Sequence, residues 1–340
     1  MRLHIFSLVI LLISLSFADP AGRSQSQEDE TCIKCHEDLI SGEHKHKAMK
    51  AGCSLCHEAS GAEHPTAEGK EFSFTEETPE ICYMCHDDYR DNKYLHKPVK
   101  DCMICHNPHN ADKPKLLLYG REELCQLCHT DIAEEAETAT FPHKPMSSPE
   151  GCLDCHSPHS SNFRRILVAE DRELCLSCHD REYGASDSTI VNIKQVIEAA
   201  EFEHSALKGG CSSCHLPHGS EYPSILVDAF PQGKYAEGTY ENHALCLLCH
   251  DSDLLEAEST TVSTNFRDGD RNMHYLHSAG KKGRNCHLCH NVHAAPNNYI
   301  IENIVKYGAW NMELNFEISE NGGSCMPGCH AKYSYSRVQL

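Results

Sequence analysis

Read as a pattern of apolar and polar positions, the chain has few places where a conventional core could form. One continuous apolar run, Ile5 to Phe17, follows Met1-Arg2-Leu3-His4. It is too short to span a bilayer, which takes about 20 residues. The basic start and the small residues in Ser16-Phe17-Ala18 describe a secretory leader over 1–18. Further on, Ile190, Val191, Ile193, Val196, Ile197 and Ala200 recur at helical spacing and predict a packing helix. Asn298–Trp310 is a second apolar stretch and holds the only Trp, which either covers an apolar group or meets a partner. Polar runs such as Arg121-Glu-Glu-Leu and Asp171-Arg-Glu-Leu read as helix starts. Long runs of Leu, Ile and Val are scarce. The expected fold is mostly irregular, elongated and serially repeated, with short α-helices and little or no sheet.

The cysteines account for what is missing from the core. All twenty-two fall in eleven pairs, each followed at once by histidine. Ten pairs are spaced Cys-x-x-Cys-His: Cys32, Cys35 and His36; Cys53, Cys56 and His57; Cys82, Cys85 and His86; Cys102, Cys105 and His106; Cys125, Cys128 and His129; Cys152, Cys155 and His156; Cys175, Cys178 and His179; Cys211, Cys214 and His215; Cys246, Cys249 and His250; Cys286, Cys289 and His290. The eleventh, Cys325-Met-Pro-Gly-Cys329-His330, is one residue longer. Cys-x-x-Cys alone also serves zinc, redox dithiols and disulfides. The histidine decides, because chance would place one after a given Cys only about one time in thirteen. This is the attachment pattern of c-type haem: two thiols form thioethers and the imidazole takes an axial position on iron. For Cys325 and Cys329 a disulfide or an unmodified pair is the alternative.

Fourteen further histidines stand outside the motifs and the leader, and eleven second axial ligands are needed. Repeat position nominates ten: His46, His64, His96, His109, His143, His159, His204, His218, His277 and His293. His243 is taken as the eleventh, with His274 the alternative; His44 could replace His46, His274 could replace His277, and His287, inside a motif, reads as a surface or core residue. His109 lies three residues past His106 and cannot reach the opposite face of the same haem. Three residues span about 10 Å at most, so His109 ligates a neighbouring haem, and the same holds for His159, His218 and His293.

The histidines group the motifs in twos. The leader (1–18) is followed by five two-haem units, 19–66, 67–110, 111–160, 161–220 and 221–295, and a single-haem tail, 296–340. Some 29 residues per haem are too few to enclose each one in a core of its own. The formal charge is −20. With the leader removed and propionates and ferric iron counted, it becomes about −32 oxidised and −43 reduced, which disfavours nucleic acid and anionic membranes and favours cationic partners.

The units, with His96-Lys-Pro or His143-Lys-Pro inside them and Cys-His-x-Pro-His at their ends, resemble the doubled Cys-x-x-Cys-His family of multihaem cytochromes c. In size and haem density the chain resembles periplasmic decahaem cytochromes that sit in outer-membrane porins. That resemblance implies about eleven covalent haems c, an exported electron carrier of anaerobic or extracellular respiration, no transmembrane segment in the mature chain, and redox proteins, a porin or extracellular cytochromes as partners. It implies no catalysis. Readings of another class are a reductase with one open haem and a subunit of an extracellular haem filament.

Overall fold

The computed structural model describes residues 30–65, 69, 71–184 and 190–338. The expected leader at 1–18 lies outside the described residues. The chain forms two bodies, one of residues 1–87 and 100–121, the other of 88–99 and 122–340.

Helices are short and sit at the motifs. First motifs of the pairs lie on α-helical turns: Glu80–Tyr83, Arg121–Gln126, Asp171–Cys178 and Ala244–Leu247. Second motifs lie on 3-10 turns: Cys53–Leu55, Cys102–Ile104, Gly151–Asp154, Cys211–Ser213 and Cys286–Leu288. The difference follows from the flanks. Helix formers with acidic residues in the first turn precede Cys125 and Cys175. Second motifs instead start abruptly, at a left-handed Gly52 or Gly210, or at Asp101 or Asn285 capping with its side chain. Pro108, Pro158 and Pro217, two residues past the motif histidine, prevent them from lengthening. In both kinds the histidine N–H donates to the first cysteine's carbonyl, as at His86, His129, His156 and His250 (2.9–3.0 Å). That bond gathers both thiols and the imidazole around one turn. The helix expected near 190–200 is present as Ile193–Ala199, with Ile197 buried.

Sheet is more frequent than expected, but in small pieces. Four two-residue antiparallel ladders tie distant segments: His44–Lys45 with Asn110–Ala111, Tyr94–Leu95 with Ser160–Ser161, Phe141–Pro142 with Gly219–Ser220, and Phe202–Glu203 with Ala294–Ala295. The reading of little or no sheet is corrected most clearly at the C-terminus. There Ile304–Tyr307 and Trp310–Glu313 form a hairpin, and Glu317–Ser319, Gly322–Cys325 and Tyr333–Ser336 a three-stranded sheet. Val305 and Met312 face inward while Ile304 and Trp310 face out. With only four residues per strand, this alternation looked in the sequence like a plain apolar insertion.

Leu288, Ile301, Val305, Met312 and Leu314 make the one apolar cluster of note among the described residues. Among those residues, the first body has no buried apolar side chain at all. Motif residues such as Met84, Ile104, Leu127 and Leu248 are more than half exposed. Apolar groups that the polypeptide leaves uncovered at each Cys-x-x-Cys imply that something else fills the interior.

Four further turns share an unusual backbone. Lys115-Leu116, Arg165-Ile166, Ser224-Ile225 and Tyr299-Ile300 each place two consecutive non-glycine residues at φ between 50° and 61°. For β-branched Ile this is a costly conformation, about 1–2 kcal/mol per residue. Ser224 is exposed at φ 59°. Ser224→Gly is therefore expected to stabilise the holoprotein by about 1 kcal/mol, since it removes the steric clash and little else. Thermal denaturation of the purified variant checks this, and an unchanged or lower midpoint would contradict the strain.

Candidate functional site

The strained turns have a recipient. His106 Nδ1 donates to the Lys115 carbonyl, His156 Nδ1 to Arg165, His215 Nδ1 to Ser224 and His290 Nδ1 to Tyr299, each at 2.9 Å. Every acceptor is nine residues past its histidine and is the first residue of a strained pair. A second set of histidines is held in the same manner by another chain segment. His46 Nδ1 donates to the Pro108 carbonyl, His96 to Pro158, His143 to Pro217 (2.8 Å each) and His204 to Val292 (3.0 Å). An imidazole whose Nδ1–H is given to a carbonyl presents a bare Nε2 lone pair, the form in which histidine binds metal.

Histidine rings also come together in pairs. Nine histidine pairs bring their rings near parallel, at 8° to 29°, with centres 5.8 to 6.4 Å apart. They are His36/His64, His46/His86, His57/His109, His96/His129, His143/His179, His156/His218, His204/His250, His215/His293 and His274/His290. This spacing is too wide for a true ring stack, such as Tyr89 on His159 at 4.2 Å. It is the spacing two imidazoles take with one metal between them: about 2 Å from metal to each nitrogen and about 1 Å more to each ring centre, or about 6 Å in all. Each pair holds one motif histidine and one from outside the motifs. The residues fit haem, and they fit it repeatedly.

The partnering is interleaved. A mid-unit histidine faces the first motif of the following unit: His46 faces His86, His96 faces His129, His143 faces His179 and His204 faces His250. A trailing histidine faces the second motif of the preceding unit: His109 faces His57, His218 faces His156 and His293 faces His215. The two-residue ladders clamp one of each kind together, and His46 N–H donates to the His109 carbonyl, His96 to His159 and His204 to His293. His106 and His159 fall in different bodies; His159 rests on Tyr89.

The thiols interleave as well. Within pairs, the first cysteines share side-chain hydrogen bonds: Cys82 with Cys102, Cys175 with Cys211, Cys246 with Cys286. Between pairs, the second cysteines lie within electrostatic reach: Cys56 of Cys85, Cys155 of Cys178, Cys214 of Cys249. The second cysteines also differ by the kind of turn that carries them. Those of first motifs, Cys35, Cys85, Cys128, Cys178 and Cys249, are exposed, while those of second motifs, Cys56, Cys105, Cys155, Cys214 and Cys289, are half-buried. Cys105 and Cys128 show that the backbone within the motif is nonetheless shared. The Cys105 N–H donates to the Cys102 carbonyl and the Cys128 N–H to the Cys125 carbonyl, each at 3.3 Å. Before any attachment, burial and the Cys102 thiol push Cys82 up to about 12, and burial pushes Cys289 up to about 11, so both start as protonated thiols at neutral pH.

This chain belongs to the doubled CXXCH motif family. The family matches residues 46–91, 96–134, 143–183 and 204–254, together more than half of the chain. No curated protein matches it. Each matched stretch starts at or next to a mid-unit histidine and runs past the first motif of the next unit, so it contains a facing pair whole: His46 with His86, His96 with His129, His143 with His179, His204 with His250. The family repeat is thus offset by one motif from the units at 19–66, 67–110, 111–160, 161–220 and 221–295. Motifs of this kind bind haem c covalently, and the chain is a multihaem protein of the cytochrome c type. Among the described residues, no helix is long and apolar enough to cross a membrane.

At the C-terminal end the sequence assignment changes. His243 was the expected eleventh ligand, yet it faces no other imidazole. It is buried, its Nδ1 donates to the Thr239 carbonyl at 3.2 Å, and its Nε2 has no partner among the described residues. His274 faces His290 instead, with its Nδ1 hydrogen-bonded to Thr264 Oγ1 (3.0 Å). Among the described residues after His293, the one histidine is His330, which belongs to a motif of its own. His277, on the same helix Met273–Ser278, donates Nδ1 to the Met273 carbonyl (2.6 Å) and lies within electrostatic reach of His330. His274 was visible in sequence as an alternative to His243 or to His277; its i, i+3 spacing to His277 was the available signal.

The eleventh motif is built differently. Cys325 ends a strand, and the His330 N–H donates to Pro327, not to the first cysteine, at 3.3 Å. The extra residue is Gly328, packed so tightly on Trp310 that no side chain fits there. Two spare histidines are accounted for: His287 spends Nε2 on the Gly233 carbonyl (3.1 Å), and His44 lies in a ladder beside Glu43.

Burial, with His290 nearby, pushes His274 down to about 3, and burial with His215 nearby pushes His293 down to about 4. Both stay neutral in the fold while the unfolded chain takes up protons below about 6.5. The unfolded state therefore binds more protons between about 6.5 and 4, and stability falls as pH is lowered through that window, with no such contribution above it. Denaturant midpoints at pH 7.5, 6, 5 and 4 should decline steadily below about 6.5; midpoints that stay flat would contradict it.

Proposed function

We propose that the protein is an exported electron carrier with about eleven haems c, each iron held by two imidazoles. The observation that carries this reading is the nine facing pairs, each a motif histidine opposite one from outside the motifs, seven of those partners sitting beside a two-residue ladder. His277, within electrostatic reach of His330, supplies a tenth pair.

The haems supply reversible one-electron chemistry. The chain's own residues set the conditions. Paired neutral imidazoles leave iron coordinatively full and low-spin, and the absence of methionine ligands favours low potentials. Nδ1–H bonds to backbone carbonyls add electron density to the ligands and fix their orientation, so little reorganises when an electron passes. Cys82 beside Cys102, Cys175 beside Cys211 and Cys246 beside Cys286 would attach the two groups of a pair close to each other. The acidic surface favours redox partners with cationic faces, in the periplasm or at the outer surface; an outer-membrane porin with extracellular cytochromes is one such setting.

Interleaved ligation has a sharp test. His204→Ala, in the last matched stretch, is expected to open the haem on Cys246 and Cys249 rather than any haem of its own unit. The oxidised variant should show one high-spin haem by low-temperature electron paramagnetic resonance. That signal should vanish when Cys246 and Cys249 are also replaced by Ala, and it should persist when Cys211 and Cys214 are replaced instead. The opposite pattern would refute the assignment. Intact mass of the secreted protein gives the haem number directly.

A further inference from the structure

One facing pair departs from the rest. In the others the partner of the motif histidine is half-buried, whether it is His46, His96, His109, His143, His204, His218, His274 or His293. His64 is exposed, and so is His36 opposite it. Most partners are also tied twice over, by a ladder and by a hydrogen bond to Nδ1 or to the backbone beside the ring. His64 is in no ladder, and among the described residues its ring touches only His36, at 5.8 Å, and the edge of Phe72, at 5.3 Å. Phe72 is itself 44% exposed, in a strand pairing residues 57–59 with 72–74. His64 thus belongs to the same unit as the motif it faces, on the connection between those two strands, where the interleaved partners come from a different unit. Among the described residues before it, 30–35, there is no histidine to face His36.

We propose that the iron held by His36 is a ligand-exchange site for small π-acceptor molecules such as carbon monoxide or nitric oxide, with His64 as its displaceable sixth ligand. This rests on the reading that Cys32 and Cys35 carry a haem. The exchange is a substitution: the bond from His64 Nε2 to iron breaks, one bond from the incoming molecule forms, and no electron is transferred. The freed imidazole moves into water, which solvates it at once because the side chain is already exposed. A half-buried imidazole such as His274, hydrogen-bonded through Nδ1 to Thr264 Oγ1, has no comparable escape. The missing second hydrogen bond matters too, since such partners typically contribute about 10–100-fold to the hold on a metal.

The full holoprotein, reduced with dithionite and titrated with carbon monoxide, tests this. Wild type should bind one carbon monoxide per chain and be wholly low-spin when oxidised. His64→Gly should show one high-spin haem when oxidised and still bind one carbon monoxide, at least about tenfold faster. His46→Gly, which removes a clamped ligand, should raise the stoichiometry to two. Wild type with Cys32 and Cys35 both replaced by Ala should bind none. No binding by wild type, two molecules bound by His64→Gly, or no high-spin haem in His64→Gly would each overturn the proposal. An intact mass short of the haem on Cys32 and Cys35 would instead remove the reading beneath it, leaving the other sites untouched.

Discussion

Iron that needs an imidazole on each face, and a polypeptide that supplies the two from different places, is the constraint on which this structure depends. The demand is specific at the level of single atoms. Nε2 must be bare and Nδ1 must carry the proton, so each ring needs an acceptor behind it. The chain provides that acceptor from its backbone in two ways, a left-handed carbonyl nine residues downstream for His106, His156, His215 and His290, and the carbonyl before a trailing histidine for His46, His96, His143 and His204. Backbone strain of this kind persists only where the surroundings over-determine it. Here the same carbonyls orient the same ring atom four times over.

Interleaving explains how so little apolar packing holds a long chain. A unit folded alone would leave its mid-unit and trailing histidines facing nothing, and its own motifs without distal partners. Ligation across units makes each one complete its neighbours, as in repeat proteins whose stability lies in the interfaces between repeats. The first body has no buried apolar side chain among the described residues. Its cohesion must come from bonds to the groups its motifs attach and from the ladder pairing 44–45 with 110–111. A ladder of two residues is marginal on its own; with a metal-bound histidine beside it on each strand, it needs only to set register.

Much of this was legible before any coordinates. The attachment motifs are covalent chemistry and therefore local, and residue order alone reveals them. That His109 must serve a haem other than that of His106 followed from chain reach. Which haem it serves was not legible, because pairing across units is a long-range matter that local spacing does not encode. Grouping by proximity placed His46 with Cys32 and Cys53, whereas the ring it faces is His86. The strained turns left no trace, since Lys-Leu, Arg-Ile, Ser-Ile and Tyr-Ile carry none of the glycine or asparagine that normally announces φ > 0. The C-terminal sheet hid because four-residue strands offer two inward positions each, too few to show a period.

An interleaved chain of ligands has two loose ends by construction, and the sequence closes them in opposite ways. At the C-terminal end, the helix Met273–Ser278 carries His274 and His277 one turn apart, and Asn272 caps it from a buried position. In the proposed reading that one helix would serve two irons, and both rings are held through Nδ1. At the N-terminal end a single exposed histidine on a strand connection does the work. Freeing the half-buried ring of His274 would also disturb its Nδ1 hydrogen bond to Thr264 Oγ1, a cost of about 0.5–1.5 kcal/mol. Removing His64 strands nothing. Two sites with the same pair of ligands thus differ in how firmly they are closed. The difference arises not from the ligands but from where the repeat runs out of neighbours.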